Sequence, residues 1–394
     1  MRRLHLEAEW FEALSDGRNL SCSLAPLGPS CRLRELVLLR TIISDFTVLP
    51  ATLTRFAYGD PSCSRVAHLT LLELEIILRT CPALKFLWLS VSMDLPPSGD
   101  DIDISPHPQL QLEELSLGWT DATITQHLLD SLSVRSMRYV DVGDCETDPV
   151  HGVLQGIEGH AMSIFPSTSI INGGNRDQPC NLRVSDSSGR IRSVREADFM
   201  LVRQYETLWS HLVSLTIYND ADEGDWDFTR PPPDMPCLEF LRVLYDPSSS
   251  WELSDRIEIL EPWGRRSYDY DDDDGGWNCP SLHTVEFAPA AYRDGRSSDY
   301  DDAGSSHYIV KFAPAVASQG PNIIPIRPRH ILAFVTRELA SAPVSRVILK
   351  GDGIRLESDE ELELPFSLSY DPSDRTIHAV DRYGLFPFNG FHSE

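Results

Sequence analysis

The densest cluster of potential ligand groups in this 394-residue chain is acidic. Residues 268–276 read YDYDDDDGG and residues 298–302 read SDYDD, and carboxylates at close spacing are what a calcium ion binds. The twelve-residue calcium loop is not matched, because a loop starting at Asp269 would need its glycine one residue before Gly275 and an acidic residue at Pro280. The sequence predicts an acidic, disordered insertion over residues 262–305, with weak binding of cations as the alternative.

Other chemical signatures are also weak. The eight cysteines are scattered without a Cys-x-x-Cys pair, which favours buried packing at Cys81, Cys237 and Cys279 over metal binding or redox sensing. The twelve histidines and the many carboxylates could meet in space, but no phosphate loop, zinc-protease or nucleophile-elbow motif is found. We therefore expect a non-enzyme with no cofactor and no metal, and keep an unrecognised enzyme as the less favoured alternative.

The composition of the chain argues against two classes of binding partner. Thirty-four basic residues stand against sixty acidic ones, a formal charge of −26, which opposes binding to nucleic acid or to an anionic membrane. The N-terminus lacks a secretory apolar stretch and no run is long enough to span a membrane, so the sequence predicts a cytoplasmic or nuclear protein.

One pattern recurs from end to end, a six-residue frame with apolar residues at its first, fourth and sixth positions. Three apolar positions are common by chance in a chain that is 41% apolar, so the argument depends on context. Amphipathic helical patterns over residues 66–79, 124–132, 197–209 and 331–339 each end shortly before a frame. The ten frames begin at Met1, Leu33, Leu53, Leu84, Leu112, Met137, Leu212, Leu238, Leu282 and Val344.

A repeated helix, turn and strand predicts an α/β fold, an irregular leucine-rich-repeat solenoid of strand-helix units with β-hairpin and acidic loop insertions. We expect residues 1–394 to form a single degenerate repeat domain. An insertion over residues 143–195 contains LRVSDSSGRIRSV (182–194), two alternating runs around a turn, which predicts a hairpin. The related segment LSYDPSDRTIHAV (368–380) predicts a C-terminal hairpin over residues 366–380.

Strand geometry indicates which side chains would meet a partner. Alternate residues point to opposite faces, so the third and fifth frame positions should line an exposed, concave face. Aromatic and arginine side chains are enriched at binding hot spots. The candidate protein-binding residues are Phe86, Trp88, Tyr139, Phe240 and Arg242. The alternative is that the insertions fold over this face and bury these aromatic residues.

Residues 72–89, LELEIILRTCPALKFLWL, resemble the helix, Cys-Pro and strand unit of the degenerate leucine-rich regions in fungal F-box proteins. The Cys-Pro-x-Leu element recurs at Cys279. The resemblance implies recruitment of a protein substrate to a Skp1-cullin (SCF-type) ubiquitin ligase, where a separate F-box docks on the ligase. Residues 1–32 carry no Leu-Pro-x-Glu opening, so the likeness is to the substrate-recognition half. A stand-alone interaction scaffold is the alternative.

Overall fold

The structure is a computed structural model. It describes residues 3–7, 21–22, 32–39, 41–43, 45–59, 67–93, 106–118, 122–143, 150–166, 179–219, 233–245, 277–292, 324–337, 339, 341–351, 354–357, 362–374 and 378–380. Within these ranges, no helix has the length and apolar character needed to cross a membrane.

The chain is α/β, as the sequence predicts, and strands predominate. The strands are β1 (Arg3–Glu7), β2 (Ser21–Cys22), β3 (Glu35–Leu39), β4 (Ile42–Ile43), β5 (Arg55–Gly59), β6 (Ala67–His68), β7 (Phe86–Ser92), β8 (Glu114–Gly118), β9 (Tyr139–Gly143), β10 (Ala161–Pro166), β11 (Pro179–Ser185), β12 (Ile191–Asp198), β13 (Ser214–Asn219), β14 (Phe240–Tyr245), β15 (Thr284–Tyr292), β16 (Ile324–Ile326), β17 (Arg346–Lys350), β18 (Ile354–Leu356), β19 (Ser367–Asp371) and β20 (His378–Val380). The helices are α1 (Leu71–Thr80), α2 (Ala122–Ser131), α3 (Val150–Leu154), α4 (Phe199–Val202), α5 (Glu206–Ser210) and α6 (Pro328–Arg337).

One open sheet organises these elements. Its strand order is β1-β3-β5-β7-β8-β9-β12-β11-β10-β13-β14-β15-β17-β19, and β6 and β20 pair with the carboxyl ends of β7 and β15. Strands β2 and β4, and strands β16 and β18, form two separate parallel pairs. Neighbours along this row are parallel except at β11, which runs antiparallel to both β10 and β12. The first and last of these three strands pair in parallel with β13 and β9, so the insertion continues the sheet.

The ten predicted frames coincide with strands. The fourth and sixth frame residues point to one face, where Leu36 and Leu38 of β3 and Leu87 and Leu89 of β7 are fully buried. The main hydrophobic core lies on this face and includes the inward residues of the helices. We call this the core face and the opposite side the second face.

Two hydrogen-bond patterns repeat from strand to strand. The carbonyl of Arg34, at the second frame position, accepts hydrogen bonds from the amides of Thr54 and Arg55 at 2.8 and 3.0 Å. Equivalent carbonyls that accept from two successive amides are those of Thr54, Lys85, Glu113, His160, Val213, Glu239 and His283. In the turn before the frame, the amide of Leu53 donates to the carbonyl of Pro50. The first frame residues that repeat this turn are Leu84, Met137, Leu212, Leu238 and Leu282.

Helix α1 shows why a helix precedes a frame. The Thr70 hydroxyl accepts from the amide of Glu73, and the Glu73 carboxylate accepts from the amide of Thr70 at 2.8 Å, which together form a capping box. Leu74 and Ile77 face the core and are fully buried. The buried apolar residues of α1 therefore hold the helix against the core, immediately before the turn that leads into β7.

The helix predictions need adjustment at their ends. The pattern over residues 66–79 begins too early, because Ala67 and His68 form β6 and pair with β7. The pattern over residues 197–209 is divided into α4 and α5, and Ala197 belongs to β12. Helices α2 and α6 overlap the predicted patterns 124–132 and 331–339.

The predictions for the two insertions and the C-terminal hairpin have different outcomes. Strands β11 and β12 pair antiparallel with Leu182 opposite Val194, as expected of the hairpin within residues 143–195. The C-terminal hairpin over residues 366–380 was wrong in its pairing, since β19 joins β17 and β20 joins β15, both in parallel. The 262–305 prediction was wrong for Thr284–Tyr292, which is strand β15, while residues 268–276 and 298–302 lie outside the described residues.

Arg192 occupies a fourth frame position in β12 and is fully buried on the core face. Its guanidinium donates to the carbonyls of Met137 at 3.1 Å and Val134 at 2.9 Å, at the end of the 3-10 turn Val134–Ser136. Burial lowers the pKa of Arg192 to about 10. The charged group thus adds a second donor to the Val134 carbonyl, which already accepts from the Met137 amide at 3.0 Å, and supplies a donor to the Met137 carbonyl.

Candidate functional site

The second face carries a continuous row of polar side chains at the fifth frame position. Register places each member directly beside the next on neighbouring strands. The row reads Ser116, Asp141, Ser193, Arg183, Ser163, Thr216, Arg242 and Glu286, from β8 to β15. Since neighbouring strands are about 4.8 Å apart, the row presents one polar group per strand.

The part of the second face formed by β3, β5 and β7 is largely buried. Trp88 and Phe86 are 1% and 5% exposed and form a small cluster with Val37, Leu39 and Ala57. The guanidinium of Arg55 lies 4.8 Å from the centre of the Phe86 ring, a cation–π contact. The prediction that Phe86 and Trp88 contact a partner was therefore wrong, because both side chains serve a second, smaller core.

The second face is also apolar at the carboxyl ends of β13, β14 and β15. Tyr218, Leu244, Ala288 and Ala290 are almost completely buried, and partly buried Phe165 packs against them. On the second face, therefore, β3 to β7 and the carboxyl ends of β13 to β15 are covered, whereas residues earlier in β13 and β14, such as Thr216 and Phe240, remain partly exposed.

A buried ion pair borders the open part on one side. Arg195 of β12 contacts Asp141 at 3.2 Å, with both side chains 5% exposed, and the Ser116 hydroxyl donates to the same carboxylate at 2.9 Å. A Cβ atom at Gly143 would lie only 2.5 Å from Nε of Arg195. The glycine thus leaves the space that the arginine side chain fills.

A second ion-pair network borders the other side. Glu286 is 4% exposed and pairs with Arg242 at 2.7 Å and with Lys350 at 3.3 Å. Lys350 also contacts Asp374 at 3.1 Å. Burial lowers the pKa of Lys350, but its bonds to Asp374 and Glu286 raise it by more, so the net shift is upward. Arg242 is thus held by an internal partner, and its guanidinium also lies 5.1 Å from the centre of the Phe240 ring.

The middle of the second face is open. Arg183 is exposed, and Ser163, Ser185, Ser193 and Thr216 are partly exposed around it. Within the described part of the chain, these five side chains form no hydrogen bond or ion pair. They differ in this from Asp141, Arg242 and Glu286 of the same row.

Two of the predicted aromatic residues frame this middle region. Tyr139 and Phe240 are both partly exposed and occupy one row at the third frame position. The residues between them in register are Ile191, Ser185, Ala161 and Ser214. Five strand spacings separate the two aromatic residues, about 24 Å, which is the length of about seven residues of extended peptide.

We call this middle region the open patch and define it by Tyr139, Ser193, Arg183, Ser163, Thr216 and Phe240. Of the five predicted site residues, Tyr139 and Phe240 belong to it, Arg242 borders it, and Phe86 and Trp88 do not. The serines and Arg183 were not predicted. Their signal was weak because Gly159 and Gly189 stand at the first frame positions of β10 and β12.

Of the four cysteines whose surroundings the structure describes, three are in the core. Cys81, Cys180 and Cys279 are free and buried, and burial raises the pKa of Cys81 to about 11 and that of Cys279 to about 12. Cys237 was predicted to be buried but is exposed, since it lies in the turn before β14. In the described ranges, no three His, Cys, Asp or Glu residues are grouped as metal ligands would be.

Comparison with known proteins does not assign the chain. No protein-family model matches it, and no curated protein matches its sequence.

Proposed function

We propose that this chain is a leucine-rich-repeat-like solenoid that binds another protein, without catalysis, through the open patch on its second face. Support for the solenoid comes from the ten frames and from the hydrogen-bond patterns that repeat between many of the parallel strands. Each strand would then add one row of side chains to the same surface.

The observation that carries the binding role is the contrast between the open patch and its surroundings. On the second face, the side chains of β3 to β7 and the last residues of β13 to β15 are buried, and the charged residues beside the patch are ion-paired. Between these regions, Tyr139 and Phe240 flank polar side chains that have no hydrogen-bond or ion-pair partner among the described residues. Partly exposed aromatic residues around hydrogen-bonding groups are characteristic of protein interfaces.

The resemblance of residues 72–89 to fungal F-box proteins extends the proposal. In that family the leucine-rich region selects a substrate for a Skp1-cullin ubiquitin ligase. We propose substrate recognition of this kind, in the cytoplasm or nucleus, and keep a stand-alone interaction scaffold as the alternative.

Affinity purification from a fungal lysate tests both parts of the proposal. The tagged chain is compared with a Thr216→Trp variant, which places a bulky ring in the open patch. Leu72→Trp is the matched control, because Leu72 is 66% exposed on α1 and belongs to neither face of the sheet. All three chains are first checked for equal melting temperatures.

The proposal expects specific partners that remain with the wild type and the Leu72→Trp control but are lost from Thr216→Trp. Partners retained equally by all three chains would contradict binding at the open patch. Stoichiometric Skp1 and cullin in the wild-type sample would support the ligase role. Specific partners recovered without them would favour the stand-alone scaffold.

A further inference from the structure

The open patch collects hydrogen-bond donors around one cation. Arg183 lies directly between Ser163 on β10 and Ser193 on β12, in register with both. Ser185 follows on the same face of β11, and Thr216 is next to Ser163 on β13. A guanidinium offers five N–H donors and each hydroxyl offers one more.

Arg183 differs from Arg242 and Arg195, the two arginines that border the open patch on this face. Arg242 pairs with Glu286, and Arg195 with Asp141, so their charges are compensated inside the chain. Arg183 has no acidic partner among the described residues. An exposed arginine surrounded by hydroxyl groups, rather than by carboxylates, suits an anion supplied from outside.

The charges of the chain and of Arg183 indicate an anion with a single negative charge. With a formal charge of −26, the chain repels polyanions, and a single exposed guanidinium compensates about one negative charge. A phosphate group carries about 1.5 to 2 negative charges and would remain partly uncompensated. A carboxylate carries one and matches the planar fork of arginine.

We propose that Arg183 pairs with the carboxylate of an Asp or Glu side chain of the bound protein, with Ser163 and Ser193 as the flanking hydrogen-bond donors. This assignment rests on the proposed function of the open patch. It makes the partner a protein segment with one acidic anchor between the contacts to Tyr139 and Phe240.

Peptides selected from a random displayed library against the purified full chain provide the probe. Those that lose binding to Thr216→Trp but keep it to Leu72→Trp are open-patch ligands. Their affinity is then measured for the wild-type chain and Arg183→Gln, using each peptide and a version with its acidic residue changed to the amide. Arg346→Gln is the matched control, because Arg346 is an exposed arginine of β17 on the same face.

Arg183→Gln and the neutralised peptide should each weaken binding about tenfold or more. Both changes together should cost little more than one alone, because they remove the same contact. Arg346→Gln should leave the affinity unchanged.

The peptide-binding experiment distinguishes a failure of the carboxylate assignment from a failure of the proposed function. Open-patch peptides that bind equally well without their acidic residue, or equally well to Arg183→Gln, would overturn the carboxylate assignment and leave the proposed function intact. Tighter binding of a phosphoserine version would also overturn it, in favour of a dianion. If no selected peptide is sensitive to Thr216→Trp, the proposed function fails and the assignment with it.

Discussion

The guanidinium of Arg195 and the carboxylate of Asp141 lie 3.2 Å apart across the junction of β9 and β12. This pair joins the inserted strands β10, β11 and β12 to β9 on the second face. Arg192 joins the same strands to the core face through the carbonyls of Met137 and Val134. Two arginines of β12 therefore fix the insertion that supplies Ser163, Arg183 and Ser193, half of the residues that define the open patch.

Breaking the pair should destabilise the chain strongly. Asp141→Asn leaves the Arg195 charge buried without its carboxylate, and Arg195→Met leaves Asp141 in the same condition, so each should cost about 3–5 kcal/mol. The double variant should lose less than the sum of the two, because neither charge remains. Denaturant unfolding measures all three, and strictly additive losses would show that the two residues stabilise the fold independently.

Trp88 should behave as a core residue although it points away from the main core. Trp88→Ala should cost about 3–5 kcal/mol and Leu87→Ala about 2–5 kcal/mol, since both residues are buried. Tyr139→Ala, at a partly exposed position, should cost clearly less. If Trp88→Ala left the melting temperature unchanged, the second apolar cluster would not contribute to stability.

Asp186 should produce an acid-sensitive component of stability. Burial alone would raise the pKa of its carboxylate, but hydrogen bonds from Ser188 and Arg190 outweigh burial, so the net pKa is lowered. Because the folded pKa lies below the ordinary value of 3.8, the stabilisation is full above that value and is lost as the pH falls through the folded pKa.

Asp186→Asn should therefore reduce stability at neutral pH and flatten its decline in acid. Denaturant midpoints for both chains between neutral pH and the onset of acid unfolding measure the difference. Parallel curves at all pH values would contradict a role for the ionised carboxylate. Asp371→Asn is a useful comparison, because hydrogen bonds from Ser373 lower the pKa of Asp371 in a similar turn.

The alkylation rates of the cysteines should depend on their burial. Cys237 should alkylate rapidly in the folded chain, whereas Cys81 and Cys279 should stay unmodified, because burial both shields them and raises their pKa to about 11 and about 12. Peptide mapping after brief treatment with iodoacetamide reads each site separately. Equal labelling of Cys237 and Cys279 would show that the turn before β15 is open in solution.

The strands that could be predicted are those whose inward residues are all apolar. Leu33, Leu36 and Leu38 make β3 plain in the sequence, and the same holds for the other nine frames. Strand β10 was missed as a frame because Gly159 replaces the first apolar residue. A Cβ atom there would lie 2.6 Å from the carbonyl oxygen of Leu208, so close packing requires glycine.

The pairing of the strands and the burial of the second face could not be predicted for a different reason. Arg192 places a charged residue at an inward position of β12, and Pro365 stands at the first frame position before β19. A local pattern also cannot show that β19 pairs with β17 rather than with β20. Alternation correctly assigned Trp88 to the second face, but whether that face is covered depends on packing between distant parts of the chain.

Protection of the open patch by a bound protein is the most direct test of the central proposal. A Ser163→Cys chain is alkylated with and without the partner recovered by affinity purification, and a Leu72→Cys chain serves as the control. Binding should slow alkylation at position 163 while leaving position 72 unchanged. If a saturating partner leaves the rate at position 163 unchanged, the open patch is not the binding surface.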